Sequence, residues 1–283
     1  MNPFLKGIAF IERNLGERLA LADIARAAGY SAYHFSRLFL ALSGDTVMGY
    51  VRKRRLTRAA EALLAGEDRL IDIALESGFE SQAAFTRAFK RHFGVPPGRI
   101  RTSGRTWLAR CRGPIDATEL QLAENITMEP RFTEHGDFHV IGLREPVERD
   151  SGSDGTPVWR AFRDHIQKIP NRVGEHALGV VEIVDKKNGK FAYWAAVEVD
   201  RLDDVPDGLS SCTLEGGRFA VFTHRLTSPD IGAELKRTFK YIYGTWVPKS
   251  GVKLRAYYDL EFYDARFDPK TLTGEVEIWV PVM

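Results

Sequence analysis

A short helix pair is written twice in the first hundred residues, and this repeat constrains the fold more than any other feature of the chain. The segments Asp23–Phe39 and Asp72–Phe89 both begin Asp-Ile-Ala, and each places a glycine four residues after that alanine. An aromatic residue, a serine and two phenylalanines four residues apart then follow in both copies. The pattern predicts two helix-turn-helix units, and two matched copies are much more specific than one.

Each repeated residue type has a physical use in such a unit. Gly29 and Gly78 stand where the first helix ends, a position that favours a left-handed residue without a Cβ atom. Ser31 and Ser81 can accept backbone N–H bonds at the start of the second helix. Phenylalanines four residues apart lie on one helix face, which is predicted to be the core face. These phenylalanines are Phe35, Phe39, Phe85 and Phe89.

The opposite face of each second helix is predicted to be open. It combines arginine, glutamine, hydroxyl and small residues, which suit base edges and thymine methyl groups in a major groove. Two such helices joined by a rigid helix can occupy successive grooves about 34 Å apart. The alternative is a small helical bundle that binds protein. The face consists of Ala32, Tyr33, Ser36, Arg37 and Leu40 in the first copy, and of Gln82, Ala83, Thr86, Arg87 and Lys90 in the second.

The repeat lies in a part of the chain that is basic, whereas the rest of the chain is acidic. Residues 1–112 carry 19 Lys and Arg against 10 Asp and Glu, whereas residues 113–283 carry 21 against 28. A basic front part favours a polyanionic partner such as DNA. The alternative is ordinary variation in charge between domains.

Several classes of protein are not supported. Two isolated cysteines, Cys111 and Cys212, cannot build a disulfide framework, which favours a cytoplasmic location. Early charged residues argue against a signal peptide, and no apolar run is long enough for a membrane span. His135 and His139 have no evident third ligand, so neither a metal nor a cofactor is expected.

The rear part alternates apolar and polar residues and is predicted to be an α+β domain with a mainly antiparallel sheet. Two amphipathic stretches, Val158–Ile169 and Ile231–Tyr243, interrupt the predicted strands. The segment 136–144 is similar to 216–224, and each precedes a helix and two strands, so a duplicated β-α-β-β unit is expected. The predicted organisation is an all-α DNA-binding domain at 1–101, a linker at 102–125 and the α+β domain at 126–283.

A candidate ligand site lies on the predicted strand Leu254–Tyr263. Alternation places Glu261 between Tyr257 and Tyr263 on the face opposite the core. A carboxylate flanked by aromatic faces suits a flat or cationic ligand. An ordinary solvated strand face explains the same pattern equally well.

The front domain resembles the AraC/XylS-type DNA-binding domain, above all in the stretch GFESQAAFTRAFKRHFGVPPGRIR at 78–101. The resemblance implies a seven-helix domain that reads two adjacent half-sites as a monomer. It assigns phosphate contacts to Lys90 and Arg91, with residues 52–55 as weaker candidates, although Arg55 is equally expected to have a structural role. Leu40 departs from the basic residue frequent in the family. The implied base-reading residues are Tyr33, Ser36 and Arg37 in the first unit and Gln82, Ala83, Thr86 and Arg87 in the second.

The rear domain resembles the GyrI-like effector-binding modules in LEGGRFAVFTHR, WVPKSGVKLR, DLEFYDARF and EIWVPV. The resemblance implies that Glu261 lies in a cleft between the two repeats and that aromatic residues line this cleft. Trp246, Tyr193 and Trp194 stand at or beside the family's aromatic positions, but only one of Tyr193 and Trp194 can face the cleft. The domain order resembles that of the Rob-type regulators.

The two resemblances together imply a sequence-specific transcriptional regulator whose activity a small amphipathic or cationic effector modulates. Double-stranded DNA and RNA polymerase are the expected macromolecular partners, without a membrane. One alternative is a GyrI-like hydrolase, fused to a DNA-binding domain, in which Glu261 acts as a general base. Another is an architectural DNA binder with little preference among sequences.

Overall fold

The predicted helix pairs are both present in the N-terminal unit, Met1–Leu120. The computed structural model describes residues 3–66, 69–100, 102, 106–115, 129–147, 156–185, 188–228, 230–255 and 258–283. The α-helices of this unit are α1 (Pro3–Arg13), α2 (Leu21–Ala27), α3 (Ala32–Ser43), α4 (Val47–Ala65), α5 (Leu70–Glu76) and α6 (Gln82–Phe93). Short 3-10 turns follow at Pro97–Arg99 and Thr106–Arg110.

The turn chemistry expected from the repeat is confirmed in both copies. Gly29 and Gly78 have φ values of 76° and 71°, in the left-handed region. The side chains of Ser31 and Ser81 accept hydrogen bonds from backbone N–H groups three residues ahead, both at 3.2 Å. Each second helix, α3 or α6, therefore begins directly after its capping serine. The left-handed glycine lies in the turn that follows α2 or α5.

The long helix α4 belongs to the cores of both helix pairs. Its N-terminal half contributes Tyr50, whose ring lies 5.4 Å from that of Phe39 in the first core. Its C-terminal half contributes Leu56 and Ala60 to the cluster that buries Phe85 and Phe89 in the second core. Because one rigid helix is packed into both cores, the two pairs are held in a defined relation to each other.

A buried charged network joins α1 to α4. The Arg54 guanidinium donates to both carboxylate oxygens of Glu12, at 2.9 and 2.8 Å, and the Tyr50 hydroxyl donates to the same carboxylate at 2.7 Å. Arg54 also donates from Nη1 to the carbonyl of Arg112 at 2.6 Å. With its carboxylate and carbonyl partners in place, this burial of an arginine is compensated.

Part of the segment expected as a linker packs on the helical unit. The Trp107 ring is buried edge-on against Phe93, 5.9 Å away, in the second core. His92, in the last turn of α6, exchanges two hydrogen bonds with Arg110, at 2.9 and 3.0 Å. The backbone N–H of Ile115 donates to the Tyr50 hydroxyl at 3.2 Å. Residues 106–115 therefore extend the helical unit beyond the last residue of the repeat.

The C-terminal unit, Gln121–Met283, contains an antiparallel sheet and two main helices. The strand order is β1-β6-β9-β7-β3-β4-β2-β5, with β8 paired to β9. The strands are β1 (Arg131–His135), β2 (Phe138–Pro146), β3 (Ala177–Asp185), β4 (Lys190–Val199), β5 (Ser210–Leu214), β6 (Gly217–Leu226), β7 (Tyr258–Tyr263), β8 (Phe267–Asp268) and β9 (Thr273–Pro281). The helices are α7 (Thr156–Phe162), α8 (Ile231–Tyr241) and the short α9 (Val247–Ser250). A 3-10 stretch, Arg163–Lys168, extends α7, and a π-helical stretch, Ile242–Trp246, joins α8 to α9.

The predicted duplication of a β-α-β-β unit is confirmed by the strand order. One copy is β2-α7-β3-β4 and the other is β6-α8-β7-β9, and the order β6-β9-β7 mirrors β2-β4-β3 across the middle of the sheet. The two copies meet where β3 pairs with β7. The predicted strand Leu254–Tyr263 is shorter than expected, since β7 begins at Tyr258 and Leu254 forms an isolated bridge with Val282.

The sheet curls so that its two ends approach each other. The Phe138 ring on β2 lies 6.0 Å from Phe219 on β6, although these strands are far apart in the strand order. Asp137 accepts a hydrogen bond from the backbone of Gly216 at 2.7 Å, which joins the two ends. The inner face holds an apolar core that includes Leu178, Trp194 and Leu260. Helices α7 and α8 pack on the outer face of the sheet. Any site between these two helices is therefore formed by residues of the outer face.

No helix in the described ranges combines the length and the apolar character that crossing a bilayer requires.

The serine caps of α3 and α6 provide a test of the repeat. Ser31→Ala and Ser81→Ala should each lower the free energy of unfolding by about 1 kcal/mol, because a backbone N–H group loses its acceptor. The matched changes to glycine should cost only a few tenths of a kcal/mol. Chemical denaturation of the four variants measures both effects, and equal losses for alanine and glycine would contradict the capping role.

Candidate DNA-reading helices and candidate effector site

The outward face of α6 is open and basic. Gln82, Ala83 and Arg87 are exposed, and Thr86 is half-buried at the edge of the same face. Lys90 and Arg91 are exposed in the last turn of the helix. Phe85 and Phe89 occupy the buried side, as the spacing predicts. This arrangement brings all the residues expected to read DNA in the second unit onto one accessible surface.

The corresponding face of α3 is not open in this structure. Tyr33, Ser36 and Arg37 are each no more than 7% exposed, and Leu40 is buried as well. The expectation of an open face on α3 is therefore not met. The reason lies outside the helical pattern: periodicity separates the two sides of a helix but does not say whether the polar side is covered. Base contacts from α3 stay a prediction, and they require these side chains to be uncovered first.

The basic run on α4 has internal partners instead of an open surface. Lys53 forms an ion pair with Asp45 at 2.9 Å, and Arg54 is buried in the network with Glu12. The Arg55 guanidinium donates to main-chain carbonyl groups, which supports the structural role and not the phosphate contact. Arg54 and Arg55 are therefore corrected from phosphate candidates to packing residues, whereas phosphate contacts from the half-buried Arg52 and Lys53 stay a prediction.

In the C-terminal unit, Glu261 is buried at the junction of the two repeats. It lies on β7 directly opposite Gly179 of β3, and only 5% of it is exposed. Two tyrosine hydroxyl groups donate to its Oε2 atom, from Tyr193 at 2.6 Å and from Tyr263 at 3.0 Å. The predicted proximity of Glu261, Tyr193 and Tyr263 is therefore present, and the carboxylate is held in one orientation.

Trp159 of α7 completes the aromatic wall on one side of this carboxylate. Its indole N–H donates to the Tyr193 hydroxyl at 2.8 Å, and its ring meets Tyr263 edge-on at 5.2 Å. A chain of hydrogen bonds thus runs from the indole through a phenol to Glu261. Sequence reasoning missed Trp159, although a tryptophan in an amphipathic helix between strands was the available signal.

Gly179 makes this arrangement possible. A Cβ atom at this position would lie 2.5 Å from both the Glu261 Oε2 atom and the Tyr193 hydroxyl oxygen. No side chain larger than that of glycine fits without moving one of them. A glycine inside a strand often marks a close approach of this kind, and this was the sequence signal that was overlooked.

The π-helical stretch Ile242–Trp246 covers the same sheet face farther along. Tyr243 donates from its hydroxyl to the Asp259 carboxylate at 2.5 Å, two residues before Glu261 on β7. Trp246 packs edge-on against Phe222 at 4.9 Å. Phe222 is aligned with Ile278, which is aligned with Glu261, so Trp246 lies over the same face two strands away. π-helical turns are rare and often occur at functional sites.

One expected aromatic residue, Trp194, is not at the site. Trp194 lies on the inner face of the sheet, where its indole N–H donates to Glu182 at 3.0 Å and Arg144 stacks over its ring. Of the two neighbouring candidates, Tyr193 is therefore the one beside Glu261. Tyr257 lies outside the described residues, so its predicted role is neither supported nor contradicted.

Burial and the neighbouring carboxylate determine the protonation of the two tyrosines. The pKa values of Tyr193 and Tyr263 are raised well above the ordinary value of 10.0. Loss of hydration is the main cause, and the negative charge of Glu261 is the second. Both phenols therefore keep their protons and remain hydrogen-bond donors toward Glu261.

Comparison with known proteins gives a match for each unit. Residues 24–103 match a helix-turn-helix domain family, and residues 131–282 match the integron-associated effector binding protein family, which covers more than half of the chain. The chain belongs to the AraC-type transcriptional regulators with a C-terminal GyrI-like effector-binding domain. The predicted resemblance and function class are thereby confirmed.

Curated relatives of this regulator share its whole length or its front part. The transcriptional regulator Rob of Salmonella typhimurium is 28% identical over 273 residues, 93% of this chain and 91% of the relative. The right origin-binding protein of Escherichia coli K12 is 27% identical, over 97% of this chain and 96% of the relative. The probable transcription factor PqrA of Proteus vulgaris is 45% identical over 105 residues, 37% of this chain and 84% of the relative.

Substitution of Gly179 tests the packing around Glu261. Gly179→Ala should lower the free energy of unfolding by about 1–3 kcal/mol, because its Cβ atom displaces a buried hydrogen-bonded group. Gly136→Ala is the matched control in the same unit, since a Cβ atom there would meet nothing within 4 Å. Thermal and chemical unfolding of both variants would show the difference, and equal stability would argue against the close approach at Gly179.

The raised tyrosine pKa values predict a loss of stability at alkaline pH. Tyrosines of the unfolded chain ionise near 10, whereas Tyr193 and Tyr263 stay protonated in the folded regulator. Their contribution to the free energy of unfolding is therefore complete below pH 10. It is lost as the pH rises above 10, because the unfolded state then binds fewer protons than the folded state. Denaturant titrations at several alkaline pH values should show a shallower decline in Tyr193→Phe than in the wild type. An equal decline of stability with pH in Tyr193→Phe and in the wild type would contradict a raised pKa of Tyr193.

Proposed function

We propose that this regulator reads two adjacent half-sites of double-stranded DNA, with α6 and α3 as the two reading helices. The observation that supports the proposal is the open face of α6, where base-contact candidates Gln82, Thr86 and Arg87 adjoin the phosphate candidates Lys90 and Arg91. Arginine and glutamine can each form paired hydrogen bonds with a purine in the major groove. The matching positions Tyr33, Ser36 and Arg37 of α3 would read the second half-site once uncovered.

We propose further that the C-terminal unit binds a small amphipathic cation and that this binding modulates transcription. The site is Glu261 at the repeat junction, with Tyr193, Tyr263 and Trp159 around it and Trp246 farther along the same face. Aromatic faces and a desolvated carboxylate together favour a cation with apolar substituents. A ligand with different affinity for two states of the regulator shifts DNA binding or the recruitment of RNA polymerase.

The hydrogen bonds to Glu261 also bear on the alternative, a hydrolase. Glu261 accepts two hydrogen bonds at Oε2 from phenols that hold their protons, so only its Oε1 atom is left to take a proton from water. A hydrolase acting through Glu261 as general base needs an oxygen that can take a proton from water. Incubation of the full chain with compounds that bind it, followed by mass spectrometry, distinguishes the two functions: intact ligand supports a sensor, and accumulating product supports the hydrolase.

Variants of α6 test the reading of DNA. Arg87→Ala should lower discrimination between the preferred site and a single-base variant by about 1–3 kcal/mol, because a base-edge contact is lost. Lys90→Ala should weaken binding to all sequences alike and reduce the salt dependence by about one phosphate contact. Fluorescence anisotropy titrations at several salt concentrations measure both quantities. Full discrimination in Arg87→Ala would show that α6 does not read bases through this residue.

Replacement of the carboxylate by an uncharged amide of the same size tests the effector site. Glu261→Gln should weaken the binding of lipophilic quaternary ammonium cations about tenfold, the equivalent of ~1.4 kcal/mol. Neutral analogues, in which carbon replaces the ammonium nitrogen, should bind the variant and the wild type within about twofold, because they lack the charge interaction. The exposed Glu134→Gln serves as a control for the loss of one negative charge. Calorimetric titration provides the affinities, and equal binding of the cations to Glu261→Gln would exclude Glu261 as their counter-ion.

A further inference from the structure

One side chain of the N-terminal unit connects the loop that precedes the first helix-turn-helix pair with the turn of the second pair. Arg55, on α4, donates from Nε to the carbonyl of Leu15 at 2.8 Å and from Nη2 to the carbonyl of Glu17 at 2.5 Å. From Nη1 it donates to the carbonyl of Gly78 at 3.2 Å. Leu15 and Glu17 lie between α1 and α2 in the first half, whereas Gly78 is the turn glycine that leads into α6.

The geometry of the guanidinium makes these three bonds a positional constraint. Its donors lie in one rigid plane and point in fixed directions, so three acceptors that bond to it at once cannot move independently. Carbonyl groups at the ends of helices lack partners within the helix and need an outside donor. Burial lowers the pKa of Arg55, because the guanidinium loses hydration in this position. Arg55 is half-buried, and its guanidinium donates to backbone carbonyl groups of the unit.

The two halves also touch directly beside Arg55, and they do so through glycines. A Cβ atom at Gly78 would lie 2.7 Å from the Arg55 Cζ atom. A Cβ atom at Gly16, in the first half, would lie 3.0 Å from the carbonyl oxygen of Glu76, at the end of α5 in the second half. Little space remains for either half to shift toward the other while Arg55 is in place.

We propose that Arg55 is a positioning residue that sets the distance and rotation between α3 and α6, and thereby the half-site spacing that the regulator accepts. The proposal rests on the proposed function, in which both helices read DNA. One additional base pair moves a half-site by about 3.4 Å and rotates it by about one tenth of a turn. A connection that resists such a displacement makes binding sensitive to spacing, although Arg55 itself need not touch the DNA.

The test uses the full chain and DNA duplexes selected from a random pool by the wild-type protein. From the selected site, a series is made in which one or two base pairs are inserted or deleted between the half-sites. The wild type should lose about tenfold or more in affinity for one inserted base pair, the equivalent of ~1.4 kcal/mol. In Arg55→Lys, which keeps the charge but not the rigid fork, the same insertion should cost no more than about threefold.

The matched control for Arg55→Lys is Arg58→Ala. Arg58 is exposed on the same helix, and it lines, together with Arg55, a cleft between Leu15 and Glu76. Arg58→Ala should keep the full wild-type penalty for insertion, even if its overall affinity falls because a positive charge is removed.

A pair of glycine variants tests the proposal without changing Arg55. Gly78→Ala and Gly29→Ala place the same strain on a left-handed residue, with φ values of 71° and 76°. Only the Cβ atom at position 78 meets Arg55, since nothing lies within 4 Å of a Cβ atom at position 29. Gly78→Ala should therefore relax the spacing preference, and Gly29→Ala should leave it unchanged. This comparison decides the question if Arg55→Lys does not fold.

The possible results separate this inference from the proposed function. If the wild type discriminates between spacings and the folded Arg55→Lys variant discriminates equally well, Arg55 does not set the spacing, whereas reading by two helices stands. If Arg55→Lys does not fold, equal spacing preferences of Gly78→Ala and Gly29→Ala likewise show that Arg55 does not set the spacing. If the wild type itself tolerates every insertion, both the two-helix function and the role of Arg55 are wrong.

Discussion

Both units of this regulator are built from duplicated elements, and the constraint that governs each is the contact between the two copies. In the N-terminal unit, α4 packs into both helix pairs, and Arg55 bonds to carbonyl groups on either side. In the C-terminal unit, β3 and β7 join the copies, and Gly179 faces Glu261 across that junction. A single copy provides a turn, a cap and an apolar face, but neither copy can fix the position of the other. The relation between the copies depends on residues that meet across the junction, such as Gly179 and Glu261.

This division explains what the sequence could predict. The turn glycines, capping serines and phenylalanine pairs follow local rules of backbone conformation and helical spacing, and they appear at Gly29, Ser81 and Phe85 as expected. The duplicated β-α-β-β unit and the position of Glu261 beside Tyr263 follow from alternation and resemblance. These features depend on neighbours along the chain, which a sequence displays directly.

Features that depend on distant partners were not predictable in the same way. Alternation could not say which of Tyr193 and Trp194 faces Glu261, because the strand is buried on both sides. Residues 106–115 carry no periodicity, yet Trp107 and Ile115 are buried against the helical unit. The polar face of α3 has the composition of a groove-reading surface, but Tyr33 and Arg37 are buried. For Tyr193, Trp107 and Ile115 the deciding partner lies on another element of the fold.

The contrast between α3 and α6 has a thermodynamic consequence for DNA binding. If α3 reads DNA as proposed, free energy is required to uncover Tyr33, Ser36 and Arg37, whereas the face of α6 is already accessible. The uncovering cost is subtracted from the affinity for the α3 half-site alone, so α6 should anchor the complex. Any ligand that favours the uncovered form then increases affinity at the α3 half-site in particular. A position held by Arg55 would convert that local gain into a gain for the whole site, because α3 reaches its half-site without a further search for the correct spacing.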